Sequence, residues 1–563
     1  MSESARAPRS ILIALAAIVV LGCGLASSTW HVFGHTWDEP EHIAAGMALV
    51  DRGRYSYDIQ HPPIARVMLA IGPYLAGARS QGTPPPDGKP EGIAILYGSG
   101  HYELYLSLAR AGVLPFFVLL LVMTFVWGRR LIGDAGGLLA TALLATTPAI
   151  LGHAGIATLD IAAAATCVLA LFLGERWLAS GRLLDAVWLG LAIGLAIGCK
   201  LSAIPFVGLG GMALIALRLW ERCGRADARP PVSPFAWSGG VVVIVALVLV
   251  VLTLAYSGRF VYLTDKTFGY NHAIDYLFAY SKPRHDAAEQ FFAQWPVPEA
   301  FPLLLGGIEA LVVHNHSGHL SYLFGELRTT GWWYFYLVAL AVKTPLPLLA
   351  MSLAGLGLLA RDGVRQRDAA RLAPVLLTVV ILLFASVFSH INIGIRHVLV
   401  LYPFFAIAAA YGCVVVIRAA PQGAGLRYAM LGVALLVGAE GLVVARTWPD
   451  YLAYFNVLAP EPERILVDSD LDWGQDLQRL SRRLAELRVP SVSLAYLGTA
   501  QLPLEHLPPY TLLNPDQKAT GWIAVSALAR VHAPARFGWL DAYPRRERVG
   551  ASIDLYYVPP VAR

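Results

Sequence analysis

Long runs of apolar residues, separated by short polar turns, make up most of the chain. A helix needs about 20 apolar residues to cross a bilayer, and about eleven runs approach that length. These runs cover residues 11–29, 104–127, 131–150, 155–174, 183–199, 201–220, 236–257, 332–360, 372–390, 395–417 and 428–447. Residues 64–77 are also apolar, but they are too few to span a bilayer, which is typical of an interfacial or re-entrant helix. The pattern predicts an α-helical polytopic membrane protein with about eleven transmembrane helices.

Arginines alternate between the turns in a way that predicts the orientation. If the N-terminus is cytoplasmic, the basic residues collect on one side, because cytoplasmic loops are rich in Lys and Arg. That side holds Arg6, Arg9, Arg129, Arg130, Arg176, Arg182, Arg218, Arg222, Arg225, Arg229, Arg361, Arg365, Arg367, Arg371, Arg418 and Arg427. The odd number of spans then places the C-terminus outside. The first run also loosely resembles a signal peptide with a lipid-modified Cys23, and its cleavage would not alter the sidedness of the rest.

Three longer polar segments fall on the outer side: residues 30–103, 258–331 and 448–563. In the last segment, apolar runs at 465–467, 491–497, 521–528 and 552–558 alternate with a helical pattern at 476–487. We therefore predict a membrane domain over residues 1–447, with outer loops 30–103 and 258–331, and a small α/β domain over residues 448–563.

The composition agrees with a membrane protein and excludes several other classes. Charged residues make up 14% of the chain, against about 25% in soluble domains. This deficit excludes a soluble globular enzyme, a disordered chain and a nucleic-acid binder. The five cysteines lie in or beside apolar runs, so no disulfide framework is predicted.

Acidic residues next to a bilayer are costly and indicate function by default. Asp38 and Glu39 follow the first span and precede a helical pattern, and Asp160 lies near the outer end of the fourth span. Two carboxylates at one membrane face can share a polar cavity in which one acts as a general base. The alternatives are an N-cap for Asp38 and a pairing with a nearby basic group for Asp160.

Basic residues and histidines fall on the same predicted face. His61, Lys343, Arg396 and His397 form a set that can bind a phosphate at the outer interface. For Lys200 the sequence favours a head group that snorkels to water. The loop histidines His314, His316 and His319 can form a metal site, but they more often face water or a substrate. The acidic stretch from Asp468 to Asp476 departs from a calcium loop and is interpreted as structural.

Taken together, these segments resemble the polytopic, lipid-carrier-dependent (GT-C) glycosyltransferases, which include protein O-mannosyltransferases and the aminoarabinose transferases of lipid A. The resemblance covers most of the membrane part. The matching segments are Asp38-Glu39, His61-Pro62-Pro63, Thr158-Leu159-Asp160, Tyr322 to Glu326 before Gly331-Trp332-Trp333, Lys343 to Pro347, and Arg396-His397 before Tyr402-Pro403. Residues 468–477 resemble the tail of uncharacterised bacterial members, in which that tail is periplasmic.

The resemblance implies a sugar donor linked to polyprenyl phosphate and an acceptor hydroxyl on a protein, lipid or glycan in the periplasm. It also implies a bacterial inner-membrane location. Asp38 would match the general base, with Glu39 beside it, and Asp160 the second acid. His61, Lys343, Arg396 and His397 would bind the donor phosphate, and the loop residues His316, His319, Tyr322 and Glu326 would contact acceptor or sugar. Gln60 stands where some relatives carry a metal-binding Glu, so a bound metal is not supported and no cofactor is expected.

Two other functions compete with this interpretation. A transporter or flippase for a lipid-linked sugar would use the same charged groups as a relay across the membrane. However, the candidates cluster at one predicted face, and Glu440 is the main acid elsewhere in the spans. A scaffold protein would leave Asp38, Asp160 and Arg396 unexplained. The sequence therefore favours a glycosyltransferase.

Overall fold

The computed structural model describes residues 7–223, 234–265, 272–278, 281–513 and 517–560. Within these residues, nine helical segments are long and apolar enough to cross a membrane, and Leu183–Cys199 is a shorter apolar helix of 17 residues. The chain is a multi-pass α-helical membrane protein with a small sheet near its C-terminus, as the hydrophobic pattern predicts.

The helices, in chain order, are α1 (Arg9–Ser27), α2 (Glu39–Arg52), α3 (Pro63–Leu75), α4 (Gly88–Tyr97), α5 (Tyr102–Ala111), α6 (Leu114–Ala145), α7 (Pro148–Ala154), α8 (Asp160–Ser180), α9 (Leu183–Cys199), α10 (Ala203–Cys223), α11 (Pro234–Ala255), α12 (His272–Phe278), α13 (Lys282–Phe292), α14 (Ala300–Ser317), α15 (Phe335–Lys343), α16 (Leu346–Gln366), α17 (Ala369–Phe388), α18 (Tyr402–Ala419), α19 (Ala424–Thr447), α20 (Leu477–Glu486), α21 (Ala527–His532) and α22 (Pro534–Phe537). The strands are β1 (Phe260–Val261), β2 (Val297–Pro298), β3 (Ser321–Leu323), β4 (Glu326–Arg328), β5 (Val492–Ala495), β6 (Tyr510–Leu512), β7 (Gly521–Ser526), β8 (Arg545–Val549) and β9 (Ile553–Val558). A 3₁₀ segment, Ile395–Leu401, leads directly into α18.

Helix α6 reverses direction at Gly133, whose φ of 82° and ψ of −179° are not helical. A Cβ on Gly128 would lie 3.2 Å from the Cα of Gly137, whereas nine residues of continuous helix span about 13.5 Å. The two arms therefore pack side by side and correspond to the separate runs predicted at 104–127 and 131–150. With these arms counted separately and α9 included, the described helices give the eleven apolar passes expected.

The predicted span at 332–360 is wrong at its start. Thr344 has an extended backbone (φ −97°, ψ 131°) before Pro345, so helix α15 ends there and a separate helix, α16, follows. A residue before proline is forced out of the helical region by the proline ring. The crossing helix therefore begins at Leu346, and Lys343 lies at the end of a separate short helix.

Burial separates central helices from those that face lipid. The apolar stretches of α8 and of the segment Ile395–Ala419 are 72% and 78% buried, whereas those of α1, α11 and α19 are 11% buried. Apolar helices that expose most of their side chains require a lipid environment. Around α8 and α18, the bundle is closed by packing of α18 on α6 and α16 and of α8 on α9 and α10.

The outer segments fold onto one end of this bundle. Residues 30–103 form α2, α3 and α4, and the segment predicted as a short interfacial helix is α3, with 13 residues. Residues 258–331 include α14 and two small antiparallel hairpins, β1–β2 and β3–β4. These elements form the walls above the membrane helices.

The C-terminal sheet has the strand order β6-β5-β7-β9-β8, with β6, β5 and β7 parallel and β9 and β8 antiparallel additions. The apolar runs predicted at 491–497, 521–528 and 552–558 contain β5, β7 and β9, and the helical pattern at 476–487 is α20. The run at 465–467 is not a strand. The edge strand β8 was not predicted, because its sequence Arg-Arg-Glu-Arg-Val is charged, as is common for protected sheet edges.

Helices α16 and α18 approach each other closely at Gly355, where an added Cβ would lie 1.8 Å from the carbonyl oxygen of Ala408. Small residues allow such contacts between membrane helices. We expect Gly355→Ala to destabilise the fold by about 1–3 kcal/mol, because the two backbones must separate. Thermal unfolding in detergent measures this change. Gly357→Ala is the control on the same helix, since no atom lies within 4 Å of its added Cβ, and equal effects of the two variants would contradict the close-packing argument.

Candidate active site

A cavity of about 830 Å³ lies where the outer segments meet the ends of the membrane helices. Residues from distant parts of the sequence line it, including seven that were predicted from the sequence: Asp38, His61, Asp160, His316, His319, Arg396 and His397. Four other predicted residues, Glu39, Lys343, Tyr322 and Glu326, do not line it. The cavity therefore brings together two of the four predicted acids and three of the four residues predicted to bind phosphate.

Asp38 and Arg396 form an ion pair across the cavity, with an Arg396 Nη1 to Asp38 Oδ2 distance of 2.6 Å. Asp38 occupies the N-cap position of α2, but its side chain makes no capping hydrogen bond. Burial favours the protonated acid, but the charge and hydrogen bond of Arg396, together with His42 and Lys89, outweigh burial and hold the pKa of Asp38 below its usual value. The capping alternative for Asp38 is therefore wrong: its side chain faces the cavity.

The Arg396 guanidinium is held on a second side by Trp473, whose ring centre lies 4.3 Å from the guanidinium carbon. Its Nε is buried and has no protein hydrogen-bond partner. A planar guanidinium with unused donors is suited to bind a phosphate or carboxylate. Arg396 is thus fixed by one acid and one aromatic ring while it keeps donor capacity.

Asp160 is the first residue of α8, and its carboxylate accepts a hydrogen bond from Lys200 Nζ at 2.6 Å. Both side chains line the cavity, and the Lys200 side chain is 13% exposed. The prediction that Lys200 snorkels to water is wrong. A buried acid needs a cation close to it. The short connection between α9 and α10 places Lys200 at that position.

Burial lowers the pKa of two cavity histidines, His61 and His319. Burial lowers the pKa of His61 to about 3, more than the neighbouring Asp58 raises it. Burial also lowers the pKa of His319, and His314 Nε2 lies 3.2 Å from His319 Nδ1. His61 therefore faces the cavity as a neutral hydrogen-bonding group rather than as one of the cations expected from the sequence.

The structure does not support a metal site at the histidines. Gln60 Nε2 lies 3.2 Å from His314 Nδ1, and among the described residues no third His, Cys, Asp or Glu completes a three-ligand group with His314 and His319. Among the described residues, the group with spacing suitable for a metal ion is His285, Asp286 and Glu289 on α13, which lies outside the cavity.

Comparison with known proteins finds similarity in structure and none in sequence. No protein-family model and no curated protein matches the chain by sequence. The oligosaccharyltransferase of Archaeoglobus fulgidus tethered with an acceptor peptide is similar in structure, with a TM-score of 0.50, 13% identity, and 99% of this chain and 76% of that chain covered. This chain therefore shares the fold of that oligosaccharyltransferase.

Two further GT-C structures are similar at lower scores. ArnT from Cupriavidus metallidurans bound to undecaprenyl phosphate has a TM-score of 0.46 and 13% identity, with 99% of this chain and 100% of that chain covered. The archaeal oligosaccharyltransferase AglB from Archaeoglobus fulgidus, in complex with an inhibitory peptide and a dolichol-phosphate, has a TM-score of 0.48 and 14% identity, with 91% and 62% covered. At these identities the likeness concerns the GT-C fold alone.

Glu39 supports the cavity from behind. Its fully buried carboxylate accepts hydrogen bonds from Arg110 Nε and Nη2, at 2.8 and 3.0 Å, and from the backbone N–H groups of Thr36 and Ala157, both at 2.7 Å. These bonds join the turn that carries Asp38 to the loop just before Asp160. Glu39 therefore positions both cavity acids and does not itself line the cavity.

Lys343 binds the C-terminal segment and does not line the cavity. Its Nζ donates to the backbone carbonyls of Leu452 and Asp470, at 2.8 and 2.6 Å, and lies 4.3 Å from the ring centre of Phe455. Burial lowers the pKa of Lys343 to about 8. The lysine thus connects the end of α15 to residues 452–470.

Tyr322 and Glu326 belong to the β3–β4 hairpin beside the cavity. Tyr322 packs against an apolar cluster around Val467 and Leu471, and Glu326 is exposed and pairs with Arg328 at 2.6 Å. Neither residue lines the cavity, where the predicted contact with acceptor or sugar would be made. His316, in the last turn of α14, and His319, in the turn before β3, do line the cavity.

Sequence reasoning missed two cavity residues in the stretch 468–476, which was interpreted as structural. Asp472 and Asp476 do bind backbone N–H groups, those of Leu528 at 2.7 Å and Ala551 at 2.9 Å. Asp468 and Trp473, however, line the cavity. The sequence signal for these two residues was the cluster of acids around a tryptophan, on the same predicted face as Asp38.

Glu39 and Arg110 are both completely buried, which gives a stability prediction. Replacing Glu39 with Gln leaves the Arg110 charge unpaired and is expected to destabilise the fold by about 3–5 kcal/mol. Reduced yield and a lower unfolding midpoint in detergent would show this loss. Glu103→Gln is the control, because Glu103 is half-exposed and contacts His31 at 3.3 Å. A Glu39→Gln variant with the stability of the wild-type protein would contradict this prediction.

Proposed function

We propose that the protein is a membrane glycosyltransferase that moves a sugar from a polyprenyl-phosphate donor to an acceptor hydroxyl. The observation that carries this proposal is that Asp38, Asp160 and Arg396, which are far apart in the sequence, line one cavity. The GT-C fold agrees with this function.

The donor fits the division of the cavity into polar and apolar parts. Arg396 and Lys200 supply positive charge for the phosphate, and the imidazoles of His61 and His397 supply hydrogen-bonding groups. Beyond them, the wall is apolar and comes from α10, α14 and α17, with Phe206, Leu311, Val312, Phe384 and Phe388. Val312 and Phe388 are 55% and 62% exposed on the outer surface, so this side offers a path for a polyprenyl chain into the bilayer.

The reaction follows from these groups. The acceptor oxygen attacks the anomeric carbon while the bond from that carbon to the phosphate oxygen breaks. The leaving polyprenyl phosphate keeps the electron pair, and the cations stabilise its charge without protonation. The acceptor hydroxyl is a weak nucleophile, so a cavity carboxylate must accept its proton. The resemblance indicates Asp38 for this role.

We infer that the displacement is direct and inverts the anomeric configuration. Retention normally uses a carboxylate nucleophile about 5 Å from an acid, whereas the cavity acids Asp38 and Asp160 are each paired with a cation. NMR of the product anomer tests the inference, and net retention would contradict a single displacement.

The sidedness of the cavity supports a periplasmic acceptor. Asp160 lies at one end of α8, and Glu175, which binds Arg130 at 3.1 Å, lies about 22 Å further along that helix. Arg130 and its neighbours belong to the loops predicted as cytoplasmic by their arginines. We propose a bacterial inner-membrane location with the cavity and the C-terminal sheet in the periplasm.

A deletion strain tests the function directly. If the protein consumes a lipid-linked sugar, that polyprenyl-phosphate sugar accumulates in the deletion strain, and mass spectrometry of the lipid extract identifies it. Plasmid-borne wild-type protein should remove the accumulated lipid. A transporter would instead leave the total amount unchanged and alter only its distribution across the membrane.

Arg396→Ala is expected to weaken binding of undecaprenyl phosphate by about 10–100-fold, the loss of about 1.5–3 kcal/mol for a hydrogen bond to a charged group. Binding to the purified protein in detergent can be followed by native mass spectrometry. Arg464→Ala is the matched control, because Arg464 is exposed and pairs with Glu461 at 2.5 Å outside the cavity. Unchanged affinity in Arg396→Ala would remove this residue from the phosphate site.

Asp38→Asn is expected to abolish removal of the accumulated lipid-linked sugar while the protein still folds. The variant keeps the shape of the side chain but removes the charge that faces Arg396. The measurement is complementation of the deletion strain, with the amount of membrane-inserted protein determined in parallel. A proportional loss of folded protein would instead assign Asp38 a structural role.

A further inference from the structure

His42 lines the cavity one helical turn after Asp38. Its backbone N–H donates to the carbonyl of Asp38 at 3.2 Å, so the two side chains project from the same face of α2. The residue is 5% exposed. Binding of the phosphate and transfer of the acceptor proton give this imidazole no role.

Arg66, on α3, holds the His42 ring from behind. Its guanidinium is fully buried and donates to the Tyr55 hydroxyl at 2.7 Å, to the Asp58 carbonyl at 2.6 Å and to the Asp58 carboxylate. The Nε of Arg66 donates to His42 Nδ1 at 3.3 Å. Helices α2 and α3 are in close contact there, since a Cβ on Gly46 would lie 2.0 Å from the Arg66 carbonyl oxygen. The position of the His42 ring is therefore fixed.

The contact with Arg66 determines which nitrogen of His42 carries the proton. A guanidinium keeps all its N–H groups and can only donate, so His42 Nδ1 must accept with its lone pair. The proton of the neutral ring is then on Nε2, on the side away from Arg66. Burial and the Arg66 charge also lower the pKa of His42 well below its usual value. Among the described residues, the hydrogen bond from Arg66 is the only one that the His42 ring makes, so its Nε2–H is a donor free for a ligand of the cavity.

The cavity wall around this donor is a polar recess formed by Glu41, His42, Asp58, Gln60 and Lys89. Glu41 Oε2 accepts from Lys89 Nζ at 2.7 Å, and Glu41 interacts electrostatically with Asp58. The carboxylates keep further lone pairs, and the amide and ammonium groups donate, so the recess can both donate to and accept from hydroxyl groups. A polyprenyl chain cannot use such groups, whereas a sugar ring with several hydroxyls can.

We propose that the polar recess binds the sugar of the donor and that His42 Nε2 donates a hydrogen bond to one of its hydroxyl groups. This inference rests on the proposed glycosyltransferase function. It places the sugar beside Asp38, the residue indicated as the base, and leaves the phosphate with Arg396 and Lys200. His42 then contacts the substrate directly, and Arg66 is a positioning residue that fixes the tautomer of His42.

Two substitutions separate the roles of the two nitrogens of His42. Asn places its amide near the position of Nδ1, so His42→Asn keeps an acceptor for Arg66 but removes the donor that faces the cavity. Its unfolding midpoint in detergent should therefore stay near that of the wild-type protein. Gln reaches the position of Nε2, so His42→Gln keeps an N–H group there. His101→Asn is the matched control, because His101 is exposed and lies outside the cavity.

The experiment mixes purified full-length protein with equal amounts of undecaprenyl phosphate and of the lipid-linked sugar isolated from the deletion strain. Native mass spectrometry then gives the ratio of the two complexes. His42→Asn is expected to lower the share of bound lipid-linked sugar by about 3–10-fold, the loss of one hydrogen bond, because undecaprenyl phosphate has no sugar to contact His42. His42→Gln and His101→Asn should keep the ratio within about twofold of wild type.

An unchanged ratio in His42→Asn would overturn the proposal, whether binding of both lipids falls together, as for a phosphate contact, or binding of neither changes. An equal fall of the ratio in His42→Asn and His42→Gln would also overturn it, because the Nε2–H would then not be the contact. If no lipid-linked sugar accumulates in the deletion strain, or the wild-type protein does not bind it, the proposed function itself fails, and the role of His42 fails with it.

Discussion

The contact between Arg396 and Asp38 is the interaction on which the site depends. A guanidinium at the edge of a bilayer must be paired, and this one is held by a carboxylate from the first outer segment and by the ring of Trp473 from the C-terminal segment. Three regions of the chain that are far apart in sequence therefore meet at one charge. The cavity forms where the first outer segment and the C-terminal segment both contact Arg396.

The same requirement explains the residues behind the cavity. Glu39 and Arg110 neutralise each other in a fully buried position and connect the Asp38 turn to the loop before Asp160. Lys343 neutralises no carboxylate directly but binds two backbone carbonyls of the C-terminal segment. Charged residues near the bilayer thus divide into those that face the cavity and those that hold its walls, and both kinds produce the same signal in a sequence.

The C-terminal segment links the sheet to the chemistry of the membrane part. Ser469 and Asp470 bind the loop before Arg396, so Asp468 and Trp473 are placed as firmly as residues of the helical bundle.

The sequence by itself determined the membrane passes, the short helix α3, the central strands β5, β7 and β9, and the convergence of Asp38, Asp160 and Arg396, since hydropathy and the placement of arginines are local properties. Only the tertiary structure decided that Lys200 pairs with Asp160, that Glu39 and Lys343 point away from the cavity, and that Asp468 faces it. The physical reason is that the partner of a buried charge depends on contacts between segments up to several hundred residues apart, and neither composition nor periodicity encodes those contacts.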